Sequence, residues 1–221
     1  MDARYTLIFD APSLTEAFGL IPPAFPIPKR YNIAPGQHIV IIRPEKDRRV
    51  VDVAYWGIIP GWVKDPNAFS KPIHARAETL EEKPSFRTAF KRKRCLIPAS
   101  GFYEWKTEGK TQQPFYIHPK DGGFFAFAGL MEDWQGPHGE VMISACLITT
   151  EANGSMAGIH ARMPVILPKE SWTLWLDPAA QTRELRPLLV PCSSHLLVTH
   201  PVSPAVGDIG NEGPGLILPV A

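Results

Sequence analysis

Twenty-four prolines and seventeen glycines are spread through 221 residues. Proline has no amide hydrogen and breaks helix interiors, and glycine punctuates local structure. A chain interrupted this often has no room for long helices. It predicts short strands and helices joined by ordered loops, in an α+β arrangement rather than a doubly wound sheet. At 44% hydrophobic, it has enough apolar residues for a sizeable core. No internal repeat or interdomain linker interrupts it, so residues 1–221 read as a single domain. The Gly- and Pro-rich tail after about Pro204 is expected to be less ordered.

No apolar run approaches the ~20 residues that span a bilayer. The start, Met1-Asp2-Ala3-Arg4, lacks the basic and apolar regions of a signal peptide. The expectation is a cytoplasmic protein without a membrane partner. Basic and acidic side chains nearly balance, 23 against 22, so net charge points to no partner. Cys95, Cys146 and Cys192 form no Cys-x-x-Cys pair and read as small buried hydrophobes.

Ser13-Leu14-Thr15-Glu16 has the pattern of a capping box and predicts a short helix toward Leu20. Pro84 to Arg94 is helical in pattern, with Phe86 and Phe90 at i,i+4 spacing toward the core. Ser171 to Leu176 also reads as helical. Strands are expected at 38–43, 50–56, 95–98, 102–106, 114–118, 124–128, 143–150, 163–167 and 195–198.

Four constellations carry possible chemistry. In Gly101-Phe102-Tyr103-Glu104-Trp105, Glu104 projects opposite its aromatic neighbours if the segment is a strand. Pointing inward, it suits proton transfer; pointing outward, it is a solvated glutamate, which the residues alone favour. His160-Ala161-Arg162 and His74-Ala75-Arg76 each set a histidine two residues from an arginine. Such a pair offers a proton shuttle and a bidentate phosphate grip, or is merely a surface loop. A metal reading is weak for lack of further ligand spacing, so no metal and no cofactor are expected. The basic run Arg87, Lys91, Arg92, Lys93, Arg94 can track a phosphate backbone. Alone, it reads better as a solvated helix end that complements the helix dipole. Trp62 and Phe69 are expected to be exposed aromatics.

Taken together, nine segments resemble the SOS-response-associated peptidase family, also described as abasic-site processing proteins. They are Arg4-Tyr5-Thr6-Leu7, Tyr31-Asn32-Ile33-Ala34-Pro35-Gly36, Trp56-Gly57-Ile58-Ile59-Pro60, Ala75-Arg76-Ala77-Glu78-Thr79, Arg94-Cys95-Leu96-Ile97-Pro98, Gly101-Phe102-Tyr103-Glu104-Trp105, Phe127-Ala128-Gly129-Leu130, Ile148-Thr149-Thr150-Glu151-Ala152-Asn153 and His160-Ala161-Arg162-Met163-Pro164. They stand in family order as far as about Pro204. The resemblance implies antiparallel strands in a barrel-like core with flanking short helices. It implies a partner, single-stranded DNA carrying an abasic site; a monomer is expected. It makes Glu104 and His160 the catalytic acid/base pair. Arg4, Arg76 and Arg162 become phosphate-holding residues, and Asn32 and Pro35 line the same cleft.

Residue 2 departs from the pattern. The family's nucleophile is an N-terminal cysteine, whose amine and thiol close a thiazolidine on the sugar aldehyde. Here the position is Asp2, beside Ala3 in place of glycine. His74 stands where the family commonly has asparagine, beside the abasic pocket, and Gly207 falls within a usual Val-Asn pair. Aspartate has no thiol, so a thiazolidine cannot form at residue 2. An amine-based lyase that uses Glu104 and His160 is the reading adopted. The alternatives are a non-catalytic single-stranded DNA-binding module, and a hydrolase of another substrate that uses Asp2, Glu104, His74 and His160.

Overall fold

Runs of strands are separated by a few short helices, in keeping with the many prolines. The structure, a computed structural model, describes residues 3–220. In chain order the elements are β1 (Arg4–Leu7), α1 (Ala11–Phe18), β2 (Arg30–Ile33), β3 (His38–Glu45), β4 (Arg48–Trp56), β5 (His74–Arg76), α2 (Pro84–Arg92), β6 (Arg94–Ala99), β7 (Gly101–Glu108), β8 (Thr111–Pro119), β9 (Phe125–Gln135), β10 (Val141–Glu151), β11 (Arg162–Pro164), α3 (Trp172–Leu176), α4 (Thr182–Leu185) and β12 (Leu197–Pro201).

Five strands close on themselves in the order β10-β4-β3-β6-β9, and β9 pairs back to β10. The β4–β10 pair is parallel and the others are antiparallel, so this is a mixed five-stranded barrel. The fold is α+β, with a barrel core and flanking short helices as expected. The parallel pairs β4–β10 and β5–β10 were not legible from the strand pattern. A second, fully antiparallel sheet runs β12-β8-β7-β1-β2. Its inner face lies on the barrel. Tyr5 packs edge-on against Trp56 and Phe127, with ring centroids 5.3 and 6.1 Å apart. Gly101 is required in β7, because a Cβ there would sit 2.4 Å from the Tyr116 ring.

The first helix begins earlier than the capping-box pattern predicts. Asp10 is its N-cap and accepts from the Ser13 amide at 3.0 Å, so Ser13 lies inside the first turn. Gly19, at φ 62°, closes the helix in the left-handed conformation. Helix α2 buries Phe86, Ala89 and Phe90 along one stripe, as the i,i+4 pair predicts.

The basic run at its end splits. Arg87, Lys91 and Arg92 are exposed, in keeping with a solvated helix end. Arg94 is not: it is buried and donates to the carbonyls of Phe90, Trp175 and Asp177 while lying over the Trp175 ring. Burial pulls its pKa down to about 10.

Cys95 and Cys146 are fully buried, as expected, and Cys192 is half-buried. The tail after Pro204, expected to be less ordered, is packed. Val206 and Leu216 are buried with Tyr103, Tyr116 and Val202 in a small second core.

Candidate functional site

The site lies where the inner face of the second sheet meets the end of the barrel, at Ala3. Strand alternation brings its walls together. On the barrel side, His74 and Arg76 of β5 stand opposite Leu147 and Thr149 of β10. On the other flank of β10, Pro164 stands opposite Thr149, and Arg162 opposite Glu151. Residues two apart share a face, so His74, Arg76, Thr149 and Arg162 rise on one side of β10. On the sheet side, Glu104 alternates with Tyr103 and Trp105. Tyr103 and Trp105 lie with the small second core, and Glu104 faces the barrel.

Glu104 is only 1% exposed. The outward, solvated alternative that the residues alone favoured is therefore overturned. Strand β7 is covered on both faces, by the barrel on one and by the C-terminal segment on the other. Glu104 and His74 line one narrow cleft with Ala3, Arg4, Leu147 and Pro164. Its enclosed volume is about 10 Å³, room for about one oxygen-sized atom. It adjoins an open groove of about 410 Å³ bounded by Ala3, Arg4, Pro35, Ile73, Trp105, Gln112 and Gly207. A concavity of about 450 Å³ lies nearby, but Glu78, Glu81, Glu82 and Glu151 line it. Four carboxylates against one arginine, Arg186, make it a poor seat for an anion, and the groove at Arg4 a better one.

His74 is a neutral imidazole. Burial above all, with the positive charge of Arg162 adding to it, pulls its pKa from 6.5 down to about 4. Its ring is partly exposed, yet Nε2 is buried with no hydrogen-bond partner among the described residues. The register across β10 sets His74 and Arg162 on the same face of that strand. His160 is tethered by its own loop: the Arg162 amide donates to Nδ1 at 2.9 Å. The Arg162 carbonyl lies 3.1 Å from the same nitrogen. Nδ1 thus accepts when the ring is neutral and donates when it is charged, as suits a proton shuttle.

Arg162 is held from two sides. Glu78 binds it in a bidentate pair at 2.7 and 3.0 Å, and Thr149 accepts from it through its carbonyl and hydroxyl oxygens. That hydrogen bond is the main cause that holds the Glu78 carboxyl below its usual range. Arg76 is exposed. Asn32 is fully buried, and Arg4 is bonded to it and to the carbonyls of Val206 and Gly207. Pro35 lies on the groove wall. Trp62 is 60% exposed, and Phe69 beneath it is half-buried at 5.7 Å. Asp2 lies outside the described residues. Among the described residues no three His, Cys, Asp or Glu side chains gather into a metal-binding group.

Reading the sequence missed Glu78 and Thr149 as partners of Arg162, though both stand inside quoted motifs. It also missed the contacts of residues 205–212 at Arg4 and Asn32. No local signal marks such a long-range contact.

Known proteins share this architecture and sequence. A sequence model of the family described as SOS response associated peptidase (SRAP) matches residues 1–209. Abasic site processing protein YoqW of Bacillus subtilis is 40% identical over 221 residues, covering 98% of this chain and 99% of that protein. Abasic site processing protein YedK of Escherichia coli is 32% identical, covering 86% of this chain and 85% of that one. A crystal structure from Bacteroides thetaiotaomicron superimposes with a TM-score of 0.88 at 26% identity, over 99% of both chains. Another from Bordetella bronchiseptica gives 0.80 at 26% identity, over 91% of this chain and 99% of that one.

Proposed function

The chain belongs to the SOS response associated peptidase family, and from that premise we propose that it binds single-stranded DNA and acts on abasic sites within it. The observation that carries this reading is the juxtaposition of the Glu104–His74 cleft with the open groove at Arg4. The groove accommodates a phosphate backbone, with Trp105 available to stack. The cleft is too small for a base and has room only for a single oxygen-sized group, such as the aldehyde oxygen of a ring-opened sugar lying in the groove. Lack of a base is what distinguishes an abasic nucleotide.

Asp2 sets the chemistry. Without a thiol at residue 2, no thiazolidine closes there and no stable crosslink forms at that residue. An amine of the chain adds to the C1′ aldehyde of the ring-opened sugar, and water leaves to give an imine. Loss of a C2′ proton then expels the 3′ phosphate and cleaves the strand. Glu104 and His160 are the proton carriers for these steps, and Arg4, Arg76 and Arg162 serve the flanking phosphates.

Competition binding tests the reading. Single-stranded DNA with one abasic site should displace the intact strand of equal length at lower concentration. Arg76→Ala should weaken binding to both strands and flatten the salt dependence by about 0.7 in logarithmic slope, one phosphate contact. Equal affinity for both strands, with no effect of Arg76→Ala, would remove the groove assignment.

A further inference from the structure

We propose that Asn32 is a positioning residue, and that the C-terminal segment 205–212 is a working wall of the groove that aims Arg4 at a phosphate. This rests on the reading of Arg4 as a phosphate contact. Asn32 is fully buried, so it cannot itself touch a bound strand. Both polar atoms of its side chain are engaged. Its Oδ1 accepts from Arg4 Nη1 at 2.9 Å. Its Nδ2 donates to the carbonyls of Val206, Asp208 and Asn211 at 3.2, 2.9 and 3.0 Å. Arg4 then reaches the same segment directly, through Nη1 to the Val206 carbonyl at 2.7 Å and Nη2 to the Gly207 carbonyl at 3.1 Å. These three contacts, to one amide and two carbonyl oxygens, fix the plane of the guanidinium.

The segment is itself anchored. Val206 is buried against Tyr103 and Tyr116, on the reverse face of the strand that carries Glu104. At its far end Glu212 accepts from Arg30 Nε at 2.9 Å and from the Tyr31 amide at 2.8 Å, immediately before Asn32 in β2. Arg4 and Gly207 both line the open groove. One buried amide therefore couples the segment, strand β2 and the guanidinium into a unit that faces the DNA.

The test is single-stranded DNA binding over a salt series, for the full-length protein and four variants. These are Arg4→Ala, Asn32→Leu, their double variant and Glu212→Gln. Asn32→Leu should lower the logarithmic salt slope by the same amount as Arg4→Ala, about 0.7. The double variant should lose no more than either single one, because both remove the same contact. Glu212→Gln changes an exposed side chain and leaves the buried core untouched. It should lower the slope partially and carries the test alone if Asn32→Leu does not fold. A wild-type slope in Asn32→Leu and Glu212→Gln, with a reduced one in Arg4→Ala, would overturn the inference and leave the function standing. An unchanged slope in Arg4→Ala would overturn both. A purely structural asparagine would change the melting temperature and leave the slope alone.

Discussion

The tripeptide His-Ala-Arg occurs twice, at residues 74–76 and 160–162, and flanks β10 on opposite sides. The two copies behave differently. In the first, β5 buries the imidazole edge and holds it neutral, while Arg76 stands in solvent. In the second, the histidine precedes the strand in a loop whose backbone serves it in either charge state. There the arginine is the one held fast, by Glu78 and Thr149. Identical side chains at identical spacing therefore sit in different surroundings. Burial and partners, rather than residue type, decide which histidine is desolvated and which arginine meets solvent.

The largest effect that separates the two copies is on chemistry. His160→Ala should slow reaction at an abasic site by about 100-fold or more, the usual contribution of a positioned acid/base. His74→Asn should change the same rate by less than about 10-fold. Single-turnover rates on a saturating abasic strand measure both. A reversed order would exchange the two roles.

The next effect is on stability and its pH dependence. His74 is neutral when folded and has an ordinary value when unfolded, so unfolding takes up a proton below pH 6.5. The stability it contributes is complete above that pH and is lost as pH falls toward 4, by at most ~3 kcal/mol. Denaturant titrations from pH 7 to 4 should show a shallower loss for His74→Asn than for the parent. Matching slopes would mean that burial does not depress the imidazole.

A smaller effect divides the arginines. Arg162→Ala strands the buried Thr149 oxygens and should cost about 1–2 kcal/mol in denaturant unfolding. Arg76→Ala, at an exposed position, should stay within about 0.5 kcal/mol of the parent. Equal losses would erase the distinction.

Local pattern was enough to place most strands and to orient Phe86 and Phe90, because alternation and i,i+4 spacing act within one element. It was enough to set Glu104 opposite Tyr103 but not to bury it, since burial depends on the barrel and on a segment a hundred residues away. The Ser13 capping box failed because Asp10, three residues earlier, is a better-placed acceptor. Arg94 reads as part of a basic run, and only the tertiary approach of Trp175 turns it into a buried strut. Resemblance put Asn32 on the cleft wall, but it is fully buried and lines neither the cleft nor the groove, because its amide is taken up by three carbonyls from residues 206–211.

The most direct test of the central claim is incubation of the purified protein with single-stranded DNA containing one abasic site, with and without borohydride. Intact mass and strand cleavage are read together. The expected result is strand cleavage and an adduct that survives heating only after reduction, with peptide mapping of the modified amine. A heat-stable adduct without borohydride would contradict the reading of Asp2 as removing the crosslinking chemistry. Binding with neither adduct nor cleavage would contradict the lyase.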